Sequence, residues 1–142
     1  MMDPVQAKAF LRSLWFFAVA VVVVGSLLPA NSFPMRALDR LHISDKIEHF
    51  AAYAVLAFLP AIHERRGFII IAALGAVGLG VALEFGQLSL GWRNFEIRDM
   101  IADAVGVCVG VAAGVPMRAA EVVRSVFLVS EACPTQSRRI GT

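Results

Sequence analysis

The sequence predicts an all-α protein, a bundle of four helices crossing a membrane four times. Three observations predict it. Of the 142 residues, 58% are hydrophobic and only 17% charged, and the mean hydropathy of +0.73 is far from soluble averages. The apolar residues fall into four stretches separated by polar segments. A soluble helix bundle needs polar faces at a 3.6-residue period, and residues 68–83 have none.

The first stretch covers residues 9–28, with the unbroken core WFFAVAVVVV from Trp15 to Val24. About 20 residues at 1.5 Å rise cross a hydrocarbon layer about 30 Å thick. A secretory signal peptide is the competing reading, because Lys8 and Arg12 precede the run and Pro29 and Ala30 follow it. Leu28, three residues before a cut after Ala30, is too large for such a site, and the chain beyond stays hydrophobic. The second stretch, 47–62, is short, holds Pro60 near its end and closes on His63-Glu64-Arg65-Arg66. The third covers 67–90. The fourth begins at Asp99 or Met100 and ends near Pro116-Met117-Arg118. Residues 1–118 thus make one membrane domain and 119–142 a cytoplasmic tail. In that tail, 119–129 alternate charge with Val122, Val123, Val126 and Phe127, which suits an interfacial helix or an extension of the fourth span. The end from Pro134 is expected to be disordered.

Lys and Arg near the span ends set the orientation. Lys8, Arg12, Arg65, Arg66, Arg118 and Arg124 share one side, joined by Arg138 and Arg139. Arg36, Arg40, Lys46, Arg93 and Arg98 share the other, interleaved with Asp39, Asp45, Glu96 and Asp99. This bias puts both termini in the cytoplasm. A net charge of +2 and the lack of a basic stripe with aromatics exclude nucleic acid as a partner. Cys108 and Cys133 make no disulfide framework, and neither has a nearby His or cation in sequence to hold a thiolate.

Gly106, Gly110 and Gly114 recur at four-residue spacing and make a flat strip along the fourth stretch. Such a strip lets another helix approach closely where lipid removes the hydrophobic drive. It also offers a face for homo-oligomerisation. Ala72, Ala76 and Gly80 form a similar strip on the third stretch, and the next position on it is Glu84.

The polar residues gather at one end of three stretches, the extracytoplasmic end in this orientation. Asp45, His49 and Tyr53 are four apart and share a helix face, as do Asp99 and Asp103, while Glu84 and Gln87 are three apart. Ionisable groups at membrane depth cost about 2.5–3.5 kcal/mol each and mark a site by default. Bland roles compete for some of them. Asp45 suits a helix N-cap and Asp99 a first-turn acid. Lys46 and Arg98 suit snorkelling, and Tyr53 suits an interfacial aromatic. Glu84 and Asp103 lie inside apolar runs and need partners, which makes them and His49 the candidate catalytic groups. The wider ligand-binding set is Asp45, Lys46, His49, Tyr53, Glu84, Gln87, Arg93, Asp99 and Asp103. One His among carboxylates leaves zinc or magnesium open, but His42, His49 and His63 lack the usual paired spacing, so no metal or other cofactor is assigned.

These pieces together resemble the VanZ-like family of small bacterial membrane proteins, the teicoplanin-resistance-like group. The matching segments are Asp45-Lys46-x-x-His49-Phe50-x-x-Tyr53-x-x-Leu56, Glu84-x-x-Gln87, Gly91-x-Arg93-x-x-Glu96-x-x-Asp99 and Asp103-x-x-Gly106-x-x-x-Gly110. They span roughly 39–114. Asp103 departs from an Asn and Trp92 from a Gly that such proteins often carry there. The resemblance implies a role in the envelope of the bacterial inner membrane and a link to glycopeptide resistance, and it supplies no reaction. The expected function is recognition or handling of an anionic envelope lipid or lipid-linked precursor. The alternatives are a membrane-embedded enzyme on a lipid phosphate, using His49 with Glu84 or Asp103, and a proton- or ion-coupled transport component.

Overall fold

The computed structural model describes residues 3–29, 32, 44–91 and 96–132. Among them the chain is all-helical: α1 (Pro4–Leu27), α2 (Asp45–His63), α3 (Arg66–Leu90) and α4 (Ile97–Ala132). The helices begin and end where local chemistry asks. Asp3 accepts from the Val5 amide ahead of Pro4, and Gly91 closes α3 at φ 75° with its amide on the Gln87 carbonyl. At the end of α4 the expected boundary near Arg118 gives way to one helix that runs through Pro116 to Ala132. Residues 119–132 therefore continue the fourth helix, and the expected interfacial segment is part of it. Arg93, Trp92, His42, Cys133 and the end from Pro134 lie outside the described residues.

Three segments are long and apolar enough to cross a membrane: Val5–Leu27, Arg66–Leu90 and Ile97–Ala120. This is consistent with a multi-pass membrane protein. α2 is not among the three, since Asp45, Lys46 and Glu48 crowd its first turn. Large apolar side chains such as Phe16, Phe17, Ile70, Ile71, Leu74 and Phe85 face outward, an arrangement that lipid tolerates and water does not.

α2 is the centre of the bundle. Its Tyr53, Leu56 and Ala57 form the core with Ala76 of α3 and Val107 of α4, and Ala18, Val19 and Val22 of α1 pack against it. Its largest interface is with α4, and the small residues explain why. A methyl added at Gly106 would strike the Phe50 carbonyl, and one at Gly110 the Ala54 carbonyl and, at 3.0 Å, the Phe58 amide nitrogen. At Gly114 it would meet Ala61 and Phe58. The strip expected to offer a face to a second copy is thus filled by α2 of the same chain. The Ala72, Ala76 and Gly80 strip of α3 is buried as well and leads to buried Glu84. Trp15 ties α1 to α2 by donating from Nε1 to the Leu56 carbonyl at 2.9 Å.

Candidate functional site

The first turns of α2 and α4 lie side by side, and α3 brings its last turns to the same place. Lys46 Nζ reaches Glu96 Oε2 at 3.2 Å and stands 3.8 Å from Asp99 Oδ1. One turn deeper, His49 Nδ1 meets Asp103 Oδ1 at 2.9 Å. The ring of Tyr53 lies parallel to that of His49, with centroids 6.5 Å apart. Gly80 of α3 fits beneath this group, since a methyl there would come within 2.5 Å of Asp103 Oδ2 and 3.2 Å of the Tyr53 hydroxyl. The four-residue spacings of α2 and α4 put His49 and Asp103 on the facing sides of the two helices.

Three carboxylates here are almost sealed: Glu84 is 2% exposed, Asp103 2% and Asp99 5%. Glu84 Oε2 accepts from the Glu96 amide at 3.3 Å, just ahead of α4, so its carboxyl meets the positive end of that helix. Asp99 Oδ1 and Asp103 Oδ2 accept no hydrogen bond. Gln87, of the expected ligand-binding set, donates from Nε2 to the Ser26 carbonyl at 2.8 Å. That carbonyl lies in the last turn of α1, where helix carbonyls have no partner of their own. Arg98 is exposed.

At the other end of α2 lies a fourth buried carboxylate, at a position expected to be a loop residue. Glu64 is 3% exposed. It pairs with Arg12, stands 3.4 Å from Lys8 Nζ and 3.6 Å from His63 Nε2, and its carbonyl accepts from Arg118. The Arg12 guanidinium and Lys8 hold its carboxyl below the usual range. The available signal was an acid among Lys8, Arg12, Arg65, Arg66 and Arg118 at one end of the spans. This group joins α1, α2 and α4 and has every donor it needs, so it reads as a fastening.

An apolar groove of about 480 Å³ opens between α1, α2 and α3, lined by Trp15, Phe16, Leu56, Phe68, Ala72 and Ala76 among others. It holds almost no polar surface and lies apart from the His49 group. No protein-family model, curated protein or solved structure matches the chain.

Proposed function

We propose that this is a VanZ-like multi-pass protein of the bacterial cytoplasmic membrane that handles an anionic envelope lipid or lipid-linked precursor. In this reading α2 is a fourth span, both termini are cytoplasmic and the His49 end opens outward. The observation that carries it is the burial of Glu84, Asp99 and Asp103 beside His49 and Lys46 at one end of the helices. Membrane burial of such groups is costly enough that a site is the default explanation. Lys46, with Arg93 and Arg98 from the sequence, holds the phosphate, and the planar fork of Arg suits it. Glu84, Asp103 and His49 orient those cations or exchange a proton. The link to glycopeptide resistance comes from the resemblance alone. It is tested by teicoplanin sensitivity in a host with and without the protein.

The test of lipid handling is native mass spectrometry with lipid extraction on gently solubilised wild type, Arg93→Ala and Glu84→Gln. A discrete phosphate lipid in wild type, lost in Arg93→Ala, supports the reading. Equal lipid content in all three, or no specific lipid in wild type, counts against it.

The 2.9 Å contact between His49 and Asp103 favours an enzymatic version of the same site. A histidine oriented by a carboxylate is a general acid–base arrangement. In that version His49→Ala abolishes turnover of the bound lipid while retention persists. Loss of retention together with turnover would assign His49 to binding instead.

A further inference from the structure

We propose that Asp45, His49 and Asp99 form a binding site for one divalent transition-metal ion, of the Zn²⁺ or Mn²⁺ class. Each offers one ligand atom, and these atoms all lie within 4.8 Å of one another. Atoms bound to a common ion at about 2.0–2.2 Å stand at most about 4.4 Å apart, so a small rotation of the side chains closes the set. Two of the ligands are one helical turn apart on α2, and the third comes from the first turn of α4.

The histidine is already set for this role. Nδ1 is committed to Asp103 Oδ1 at 2.9 Å, which leaves Nε2 as the nitrogen for a metal. A ligating His whose second nitrogen is held by a carboxylate is the usual supporting arrangement in metal sites.

Asp99 points to the same conclusion independently. It is 95% buried, its Oδ1 accepts no hydrogen bond, and Lys46 Nζ at 3.8 Å is beyond hydrogen-bonding distance. A buried carboxylate oxygen held only by an ion pair at that distance, with no hydrogen bond, is costly, and a bound metal ion would satisfy it more fully. Asp103 and Glu84 add two more buried acids nearby. A divalent ion offsets that excess as a single lysine does not. One nitrogen with two carboxylates suits zinc or manganese, whereas calcium and magnesium prefer all-oxygen shells. Three protein ligands leave a position open for water or an anionic oxygen. Metal binding is measured without lipid, so this inference stands or falls separately from the lipid reading.

The experiment uses the full chain in detergent micelles, stripped with chelator and titrated with Mn²⁺. Electron paramagnetic resonance counts bound ion, and pulsed measurement detects the ¹⁴N coupling of a ligating imidazole. Wild type is expected to bind about one Mn²⁺ per chain with ¹⁴N coupling, displaced by Zn²⁺. His49→Ala loses the coupling, Asp99→Asn loses affinity, and Asp103→Asn weakens binding about 10–100-fold as a supporting residue does. The double variant His42→Gln, His63→Gln keeps the coupling. Circular dichroism and gel filtration check each fold. Should His49→Ala fail to fold, wild type and the double variant decide. Absence of stoichiometric Mn²⁺ in wild type overturns the proposal. So does coupling that survives in His49→Ala or vanishes in the double variant, or unchanged affinity in Asp99→Asn.

Discussion

The indole Nε1 of Trp15 donates to the carbonyl oxygen of Leu56, the carbonyl that Pro60 leaves without its helical donor. In an α-helix the amide of residue 60 would bond the carbonyl of residue 56, and proline has no amide hydrogen. Inside a membrane no water replaces it. A side chain from α1 therefore completes the backbone of α2.

Trp15→Phe keeps an aromatic ring and removes this donor, so stability should fall by about 1–3 kcal/mol. In a Pro60→Ala background the helix supplies its own amide to Leu56, and the same replacement should cost much less. Unfolding in mixed micelles, followed by circular dichroism for all four combinations, measures the coupling. Equal costs in both backgrounds would show that the Leu56 carbonyl is not what Trp15 serves.

Gly110→Ala should destabilise by about 1–3 kcal/mol, because its methyl meets the main chain of α2 and backbone gives way poorly. Gly78→Ala is the control. Nothing lies within 4 Å of a methyl there, and alanine is favoured over glycine in a helix by about 0.5–1 kcal/mol. Thermal melts of the two variants should move in opposite directions.

Glu64 gives stability a defined pH dependence. Its carboxyl is held below the usual range by its hydrogen bond to Arg12 and by Lys8. The folded state thus binds a proton less readily than the unfolded state, whose glutamate titrates near about 4.3. The stabilisation is complete above that value and fades as pH falls through the lower folded one. Wild type should be more stable than Glu64→Gln near neutrality, with the gap narrowing on acidification. A gap independent of pH would show that the charge of Glu64 is immaterial.

Gln87→Met should weaken the attachment of α3 to α1, since it removes the donor to the Ser26 carbonyl and keeps a similar shape. We expect a loss of about 0.5–1.5 kcal/mol. Lipid retention in native mass spectrometry should be unchanged. Lost retention with full stability would show that Gln87 serves the ligand and not the helix contact.

Much of the helix layout was legible because hydropathy reports directly on burial in lipid. The expected stretches 47–62 and 67–90 sit inside α2 and α3, and 9–28 runs one residue past the end of α1. The facing of His49 and Asp103 follows from four-residue spacing on two helices, which a sequence displays. What the sequence hides is which helix meets which. The glycines of α4 announce a close neighbour without saying that Phe50, Ala54 and Phe58 supply it. The contacts of Gln87 with Ser26 and of Glu64 with Arg12 are hidden because each pair is more than fifty positions apart. The alternating charge after Arg118 suits an interfacial helix and a continued span equally, and pattern alone does not choose between them.

The ends of α2 are bolted while its middle is smooth. His49 holds Asp103 near one end, and Glu64, fifteen residues later, accepts from Arg118 at the other, about 22 Å along the axis. Between these points α4 presents glycines to bare backbone, a surface without ridges to fix a register. The two bolts therefore act as stops on a slide. Moving α2 lengthwise along α4 would break both at once, whereas α1 and α3 share a much smaller interface. Among the described residues the α1–α3 seam has no such pair of stops, only the Gln87–Ser26 hydrogen bond and a modest contact.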